Sequence, residues 1–167
     1  MTAMYKRILV PLENSAYDEA ILEHVARLAK VCGASVLLVH VADGWVARTW
    51  RQLDLRESEE MDRDRRYLES VAARIAEAGL EVDAVLAGGD PSREIVQIAE
   101  REGCDLIAMS THGHRFISDL LYGSVANEVR HRSQIPVLLV RGQGRRRATN
   151  GAEKGAAAPP PPSSSPR

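Results

Sequence analysis

Small, hydroxyl and imidazole side chains are concentrated between Met109 and Val125, in the run MSTHGHRFISDLLYGSV. Two glycines in this run, Gly113 and Gly123, have nine residues between them, and Ser124 follows the second glycine. Glycine lets a backbone approach a phosphate without a clash from a Cβ atom. A helix that begins at Ser124 would direct unpaired N–H groups and the positive end of its dipole at an anion. The segment therefore predicts a phosphate-binding site, although a simple turn and a helix cap would need the same residues.

Other catalytic motifs are missing or incomplete. The chain contains no G-x-x-x-x-G-K-[ST] sequence, which excludes a P-loop, and no G-x-G-x-x-G sequence follows the first predicted strand. Ser110 lies near His112 and His114 in the sequence, but no third residue can be placed to complete a hydrolytic triad or a metal site. We therefore expect no catalytic residues and no metal ligands, and a hydrolase or transferase is the least favoured class.

Hydrophobic periodicity predicts five strands that alternate with four helices. Short apolar runs indicate the strands, and apolar residues at i, i+3 and i+4 spacing indicate the helices. Asp90 followed by Pro91 is typical of a helix N-terminus. The pattern predicts an α/β fold, a single-domain three-layer sandwich with a five-stranded parallel sheet and helices on both faces. The strands are expected at 8–12, 35–41, 81–87, 105–109 and 135–141, and the helices at 16–30, 57–78, 91–102 and 124–132.

Unusual residues follow three of the predicted strands, in segments 11–15, 41–43 and 110–113. In an open parallel sheet, ligands bind beyond the carboxyl ends of the strands, at the point where the strand order reverses. If strands one and four are neighbours, the three segments meet in one crevice. Strand five is expected at an edge of the sheet, because Pro136 can donate no ladder hydrogen bond.

Composition limits the kinds of partner. The residues from Gly142 onward carry a net charge of +4, which leaves −5 for the preceding 141 residues. A mildly acidic body lacks the basic face of a nucleic-acid-binding protein, and no apolar run is long enough for a signal peptide or a transmembrane helix. Cys32 and Cys104 have no metal-ligand spacing and are expected to be buried, reduced thiols. We expect a cytoplasmic protein that binds neither nucleic acid nor membrane.

Two regions lie outside the alternating pattern. Trp45 and Trp50 lie in a segment without a clear period, and they could pack on the domain itself, form a lid, or form a partner surface. Residues 142–167 are basic and rich in Ala, Pro and Ser, which predicts a disordered tail that is either an inert terminus or an interaction arm. The folded domain is therefore expected at residues 1–141.

Several short motifs occur in an order and at a spacing that are similar to one known family. The most specific are MSTHG at 109–113, GSV at 123–125 and PVLLV at 136–140, supported by KRILVP at 6–11 with Ser15, VHV at 39–41 and GDP at 89–91. On these residues the chain resembles the universal stress protein family over residues 4–141. The resemblance implies the strand order 3-2-1-4-5 and a homodimer formed through the strand near 135–141.

The resemblance also implies an adenine-nucleotide site. The nucleotide-binding branch of the family uses G-x2-G-x9-G-[S/T] for ATP, and its second and third glycines fall on Gly113 and Gly123. Ser110 stands in place of the first glycine, and Glu13 stands in place of the family's usual aspartate. By resemblance, the base would meet Val41, the ribose Glu13 and Ser110, and the phosphates the two glycines and their neighbours. The implied site residues are Pro11, Leu12, Glu13, Ser15, Val41, Met109, Ser110, Gly113, His114, Gly123, Ser124 and Val125.

The function implied is ATP binding, with Mg²⁺ as an accompanying ion, by a homodimeric stress-response protein that signals rather than turns over substrate. Any ATP hydrolysis should be slow, since no Walker lysine, catalytic base or arginine finger is evident. The alternative is a dimeric interaction module of the same fold that binds no nucleotide.

Overall fold

The computed structural model describes residues 4–43, 54–112 and 119–142. Trp45, Trp50, Gly113, His114 and the tail 143–167 lie outside the described residues. Strands and helices alternate along the chain as β1 (Arg7–Pro11), α1 (Asp18–Cys32), β2 (Ser35–Asp43), α2 (Asp54–Glu77), β3 (Val82–Gly89), α3 (Pro91–Arg101), β4 (Leu106–His112), α4 (Asp119–Arg132) and β5 (Val137–Gly142).

All strand pairs are parallel, and the sheet order is β3-β2-β1-β4-β5. The predicted α/β fold and strand order are therefore confirmed. β1 pairs with β2 on one side and with β4 on the other, so the order reverses between β1 and β4. β3 and β5 lie at the two edges, and the carbonyl of Pro136 just before β5 accepts from Ile107 N at 3.0 Å.

Two hydrophobic clusters cover the two faces of the sheet. One cluster packs apolar residues of α1 and α2 against the sheet, and the other packs those of α3 and α4 against the opposite face. Neighbouring residues of one strand enter different clusters, as Ile8 and Leu9 of β1 do, because side chains alternate across a strand. Helices on both faces follow from this alternation.

The start of α4 differs from the sequence-based expectation. The helix begins at Asp119, whereas Ser124 was expected to open it, and Gly123 and Ser124 lie beyond its first turn. A glycine inside a helix costs about 1 kcal/mol relative to alanine but does not end the helix. The expectation that the helix N-terminus lies at Ser124 was wrong.

The expected helix cap at Asp90 is confirmed, whereas only one of the two cysteines that were expected to be buried is buried. Asp90 is the N-cap of α3, and its Oδ1 accepts from Arg93 N at 2.9 Å. Cys104 is buried, and burial raises the pKa of its thiol to about 11, whereas Cys32 is only partly buried. No helix within the described ranges is both long and apolar enough to cross a membrane.

Candidate functional site

A cavity of about 330 Å³ opens at the carboxyl ends of β1, β2 and β4, where the strand order reverses. This is the position at which parallel α/β sheets bind their ligands. Seven of the residues singled out in the sequence line it: Pro11, Leu12, Glu13, Val41, Met109, Ser110 and Val125. The structure thus brings together three strand ends and one helix face that are far apart in the chain.

The remaining predicted residues are placed differently. The amide of Ser15 turns towards α1 and donates to Asp18 Oδ2 at 3.1 Å, and Ser15 does not line the cavity. Gly123 and Ser124 lie in α4, one turn or less before Val125, which does line it. Gly113 and His114 are outside the described residues.

Asp18 fixes the loop between β1 and α1. Its carboxylate is 2% exposed and accepts from the backbone N–H groups of Glu13 at 3.2 Å and Ser15 at 3.1 Å. Tyr67 of α2 donates its phenolic O–H to Asp18 Oδ2 at 2.7 Å. Burial and this hydrogen bond raise the pKa of Tyr67 above its usual range, so the phenol remains a donor. The loop is therefore held by a buried carboxylate that has all the donors it needs.

His40 joins the same loop to α2. Its Nδ1 lies 2.8 Å from the carbonyl oxygen of Leu12, and its Nε2 lies 3.1 Å from Asp64 Oδ2. A carbonyl and a carboxylate can only accept, so both contacts are hydrogen bonds only when the ring carries a hydrogen on each nitrogen. Asp64 Oδ1 also accepts from Asn14 Nδ2 at 3.1 Å, and Asn14 takes a left-handed conformation with φ 58°. Two residues of α2, Asp64 and Tyr67, thus hold the loop that carries Glu13 in place through side-chain hydrogen bonds.

The opposite wall of the cavity is formed by the start of α3 and by α4. Ser92, which is 1% exposed, places its Oγ 2.7 Å from Asp90 Oδ1 and 2.6 Å from Glu128 Oε2. The hydrogen bonds from Ser92 and from the backbone of Arg93 lower the pKa of Asp90 below its ordinary value, so this carboxylate is ionised at neutral pH. This wall of the cavity is acidic, whereas the floor of the cavity is apolar and includes Ile95, Met109 and Val125.

Ser110 supplies a buried hydroxyl next to the cavity. Its Oγ has no hydrogen-bond partner within the described residues. It lies beside Gly142, where an added Cβ would come within 3.4 Å of Ser110 Oγ and 3.0 Å of Tyr17 Cβ. A buried hydroxyl without a partner costs about 1–3 kcal/mol.

A larger groove, of about 1040 Å³, runs along the outer side of α1 between α2 and β5. It contains the ion pair between Arg74 and Glu19, with a 3.1 Å contact and side chains that are 53% and 58% exposed. Such exposed pairs are typical of solvated surface. The smaller cavity is the better candidate, because it lies at the strand ends and gathers buried polar groups.

Sequence reasoning missed several lining residues: Asp18, His40, Pro91, Ser92, Ile95 and Glu128. Asp90 was recognised as a helix cap but not as part of the site. Asp18 and Glu128 occupy ordinary positions in helical patterns, and the sequence carries no local signal that separates them from surface acids. His40 does carry a local sequence signal, because a histidine inside an otherwise apolar strand is unusual.

Comparison with known proteins is consistent with this geometry. The sequence model described as "Universal stress protein family" matches residues 4–141. The universal stress protein MJ0577 of Methanocaldococcus jannaschii is 30% identical over 161 residues, which cover 84% of this chain and 98% of that protein. Its solved structure matches with a TM-score of 0.72 at 31% identity, over 85% of this chain and 99% of that one.

A universal stress protein of Archaeoglobus fulgidus, solved in complex with dAMP, is 26% identical and matches with a TM-score of 0.58. The match covers 81% of this chain and 98% of that chain. With the family model matched over most of its length, this chain belongs to the universal stress protein family.

Proposed function

We propose that this protein binds an adenine nucleotide, ATP, in the cavity at the ends of β1, β2 and β4, and that binding serves signalling in a cytoplasmic stress response. The observation that carries the proposal is that seven of the residues predicted from the family resemblance line one cavity of about 330 Å³ at the point where the strand order reverses. That volume falls in the range of about 300–1,000 Å³ that is usual for small-molecule sites. The A. fulgidus relative with dAMP supports an adenylate as the ligand.

The polar groups suit a nucleotide laid across the strand ends. Glu13 and Ser110 would accept and donate hydrogen bonds to the ribose hydroxyls, and Ser110 Oγ is buried without a partner among the described residues. The base would lie against Val41 and the apolar floor. The phosphates would extend past Val125 towards Gly123, Ser124, Gly113 and His114, the last two of which lie outside the described residues.

Charge argues for an accompanying cation. The described lining includes Glu13, Asp18, Asp90 and Glu128 but no lysine or arginine. Phosphates next to such a wall are repelled unless a cation neutralises part of their charge. Within the described ranges no group of three or more His, Cys, Asp or Glu residues is placed to hold a metal ion. Mg²⁺ would therefore enter with the nucleotide, bound mainly by its phosphates and by water.

The proposed role is binding rather than rapid turnover. Phosphoryl transfer needs positive groups that stabilise the charge on the phosphoryl oxygens and a group that positions the nucleophile. The described lining offers carboxylates, the hydroxyls of Ser92 and Ser110, and His40, whose two ring nitrogens contact Leu12 and Asp64. Hydrolysis should accordingly be slow at most.

Calorimetric titration of the full chain with ATP and MgCl₂ tests the proposal. We expect saturable binding, and we expect it to be lost when Gly123 is replaced by Val, since a branched side chain would fill the space given to the phosphates. Gly88→Val is the matched control, because Gly88 has no atom within 4 Å of an added Cβ and lies in the edge strand β3. Absence of binding to wild type at millimolar ATP would contradict the proposal.

An exposed apolar residue favours the dimer that also belongs to this proposal. Leu139 of the edge strand β5 is 43% exposed, although large apolar side chains are seldom left open on an unpaired strand. We propose that β5 and the residues near 135–141 form a homodimer interface. Light scattering after size exclusion should give twice the 18.3 kDa chain mass, and Leu139→Lys should shift it to the monomer. A dimer that binds no nucleotide would support the alternative, an interaction module of the same fold.

A further inference from the structure

His40 lies between two hydrogen-bond acceptors that belong to different parts of the fold. Its Nδ1 is 2.8 Å from the carbonyl oxygen of Leu12, just after β1, and its Nε2 is 3.1 Å from Asp64 Oδ2 on α2. The side chains of His40 and Asp64 are only 12% and 13% exposed, so water has little access to this contact. A ring with one hydrogen can donate to one acceptor only, and its other nitrogen then directs a lone pair at the second acceptor. The charge state of His40 therefore decides whether both contacts exist.

The groups around His40 favour a positive charge on the ring. The described lining of the cavity contains no lysine or arginine, and the position paired with His40 on β3 is the apolar Leu86. Among the described residues, the titratable side chains on the elements that surround His40 are Asp64 and Tyr67 of α2, Asp18 of α1, Glu13 of the β1–α1 loop, and Asp90 and Glu128 across the cavity. The pKa of Asp90 is lowered and the pKa of Tyr67 is raised, so neither group changes charge near pH 7. Histidine is the type of side chain that ordinarily changes charge between pH 5 and 8, whereas carboxylates ordinarily do so at lower pH.

The two contacts of the ring differ in strength. A hydrogen bond to a carboxylate is stronger than one to a neutral carbonyl. A lone pair directed at a carboxylate is also repelled more than one directed at a carbonyl, because the carboxylate carries a full charge. A neutral ring should therefore keep its hydrogen on Nε2, facing Asp64, and leave a lone pair on Nδ1, facing the oxygen of Leu12.

We propose that loss of the Nδ1 proton of His40 releases the carbonyl of Leu12, and so makes the cavity wall formed by Leu12 and Glu13 sensitive to pH. The proton passes to solvent water, and the ring keeps its hydrogen bond to Asp64. Asp64 also keeps its second contact, the 3.1 Å hydrogen bond from Asn14. The ring nitrogen and the carbonyl oxygen are then two acceptors in contact, so the peptide group between Leu12 and Glu13 moves away. Both residues line the cavity, which has the described shape when the ring is charged and a different shape when the ring is neutral.

An NMR titration of the ¹⁵N-labelled full chain between about pH 5 and 8 tests this inference without any ligand. The backbone amide of Glu13 belongs to the same peptide group as the Leu12 carbonyl, so its chemical shift responds to the hydrogen bond from His40. We expect this shift to follow the titration of the His40 ring with a single midpoint, whereas the side-chain amide of Asn14, which is bonded to Asp64, stays constant. A Glu13 amide that does not follow the ring, or an Asn14 amide that follows it instead, would overturn the inference. Because no nucleotide is present, either result is independent of the proposed nucleotide binding.

The variant Asp64→Asn then assigns the response to this pair of contacts. Its side chain keeps an oxygen for Asn14 and presents an amino group to Nε2, so a neutral ring can keep its hydrogen on Nδ1 and its bond to the carbonyl. We expect the pH response of the Glu13 amide to be lost while the imidazole still titrates. Asp62→Asn is the matched control, since Asp62 is exposed on the same helix, and it should keep the wild-type response. A Glu13 response that persists in Asp64→Asn would show that the carboxylate does not select the contact that the ring gives up, which contradicts the proposed switch.

Discussion

The two walls of the cavity differ in how their polar groups are satisfied. The loop wall, between β1 and α1, is built around Asp18, whose carboxylate receives two backbone N–H groups and the hydroxyl of Tyr67. The helix wall, at α3 and α4, places one hydroxyl between Asp90 and Glu128. Asp18 in the first wall is buried, whereas the Glu128 side chain in the second wall is 50% exposed to solvent.

Because of this difference, we expect the two walls of the cavity to contribute unequally to the stability of the fold. Breaking a buried hydrogen-bond network lowers the free energy of unfolding, because each lost partner leaves a buried polar group unpaired. Removing a half-exposed carboxylate destabilises the folded state little, because water solvates it. The predictions below test this contrast, in order of the expected change in the free energy of unfolding.

The largest effect is expected for Asp18→Asn. The amide keeps the size of the carboxylate but removes one acceptor oxygen, so a buried N–H or the Tyr67 hydroxyl loses its partner. The free energy of unfolding should fall by about 3 kcal/mol, measured by urea denaturation. Glu23→Gln is the control, because Glu23 lies on the exposed face of the same helix and should change stability little. A loss no larger than that of the control would show that the loop wall does not depend on Asp18.

A smaller loss is expected for Tyr67→Phe, which deletes one hydrogen bond and leaves Asp18 with its two backbone donors. We expect a decrease of about 1.5 kcal/mol in the free energy of unfolding. Tyr5→Phe is the matched control, since the Tyr5 hydroxyl has no hydrogen bond among the described residues. In the double variant Asp18→Asn with Tyr67→Phe the losses should not add, because the two side chains share one contact. If the two losses in the free energy of unfolding simply add, Asp18 and Tyr67 do not belong to one hydrogen-bond network.

Asp90→Ala should cost about 1 kcal/mol at pH 7 through loss of the α3 N-cap. The pKa of Asp90 is held below its ordinary 3.8 in the folded state, so the cap contributes fully above that pH. Its contribution is lost as pH falls through the lower folded-state pKa. Urea midpoints for wild type and variant should therefore differ at pH 7 and converge as the pH falls below 3.8, whereas Glu100→Ala, at an exposed position of the same helix, should show no such convergence.

The smallest effect is expected for Glu128→Ala in the absence of nucleotide. The free energy of unfolding should change by less than about 0.5 kcal/mol, because the side chain that is removed is 50% exposed to solvent. Chemical denaturation without ligand measures this directly. A loss comparable to that of Asp18→Asn would show that both walls are structural, and the contrast between them would fail.

The elements and their order were predictable because each depends on local patterns. Short apolar runs predicted all five strands, and Asp90 with Pro91 marked the start of α3. The strand order came from the family resemblance rather than from the patterns. β2 extends two residues past its expected end, to Asp43, because its pairing with β3 continues to Gly89.

The site was less predictable, because its polar contacts join distant parts of the chain. Asp64 and Tyr67 reach the β1–α1 loop from α2, and the sequence gives no sign of which acids on a long charged helix turn inward. The start of α4 was misplaced because a glycine followed by serine is typical of a helix N-terminus, and here both lie inside the helix.

The hydrogen bonds between α2 and the β1–α1 region also affect the order in which the parts of the molecule fold. Two side-chain contacts, Asn14 with Asp64 and Asp18 with Tyr67, join residues 50 and 49 positions apart. Closing a loop of this length costs entropy, which delays these contacts relative to the contacts within helices. The β1–α1 loop should therefore acquire its final shape only after α2 has formed and packed in place. Any ligand that depends on this loop would then bind only to chains in which α2 is docked.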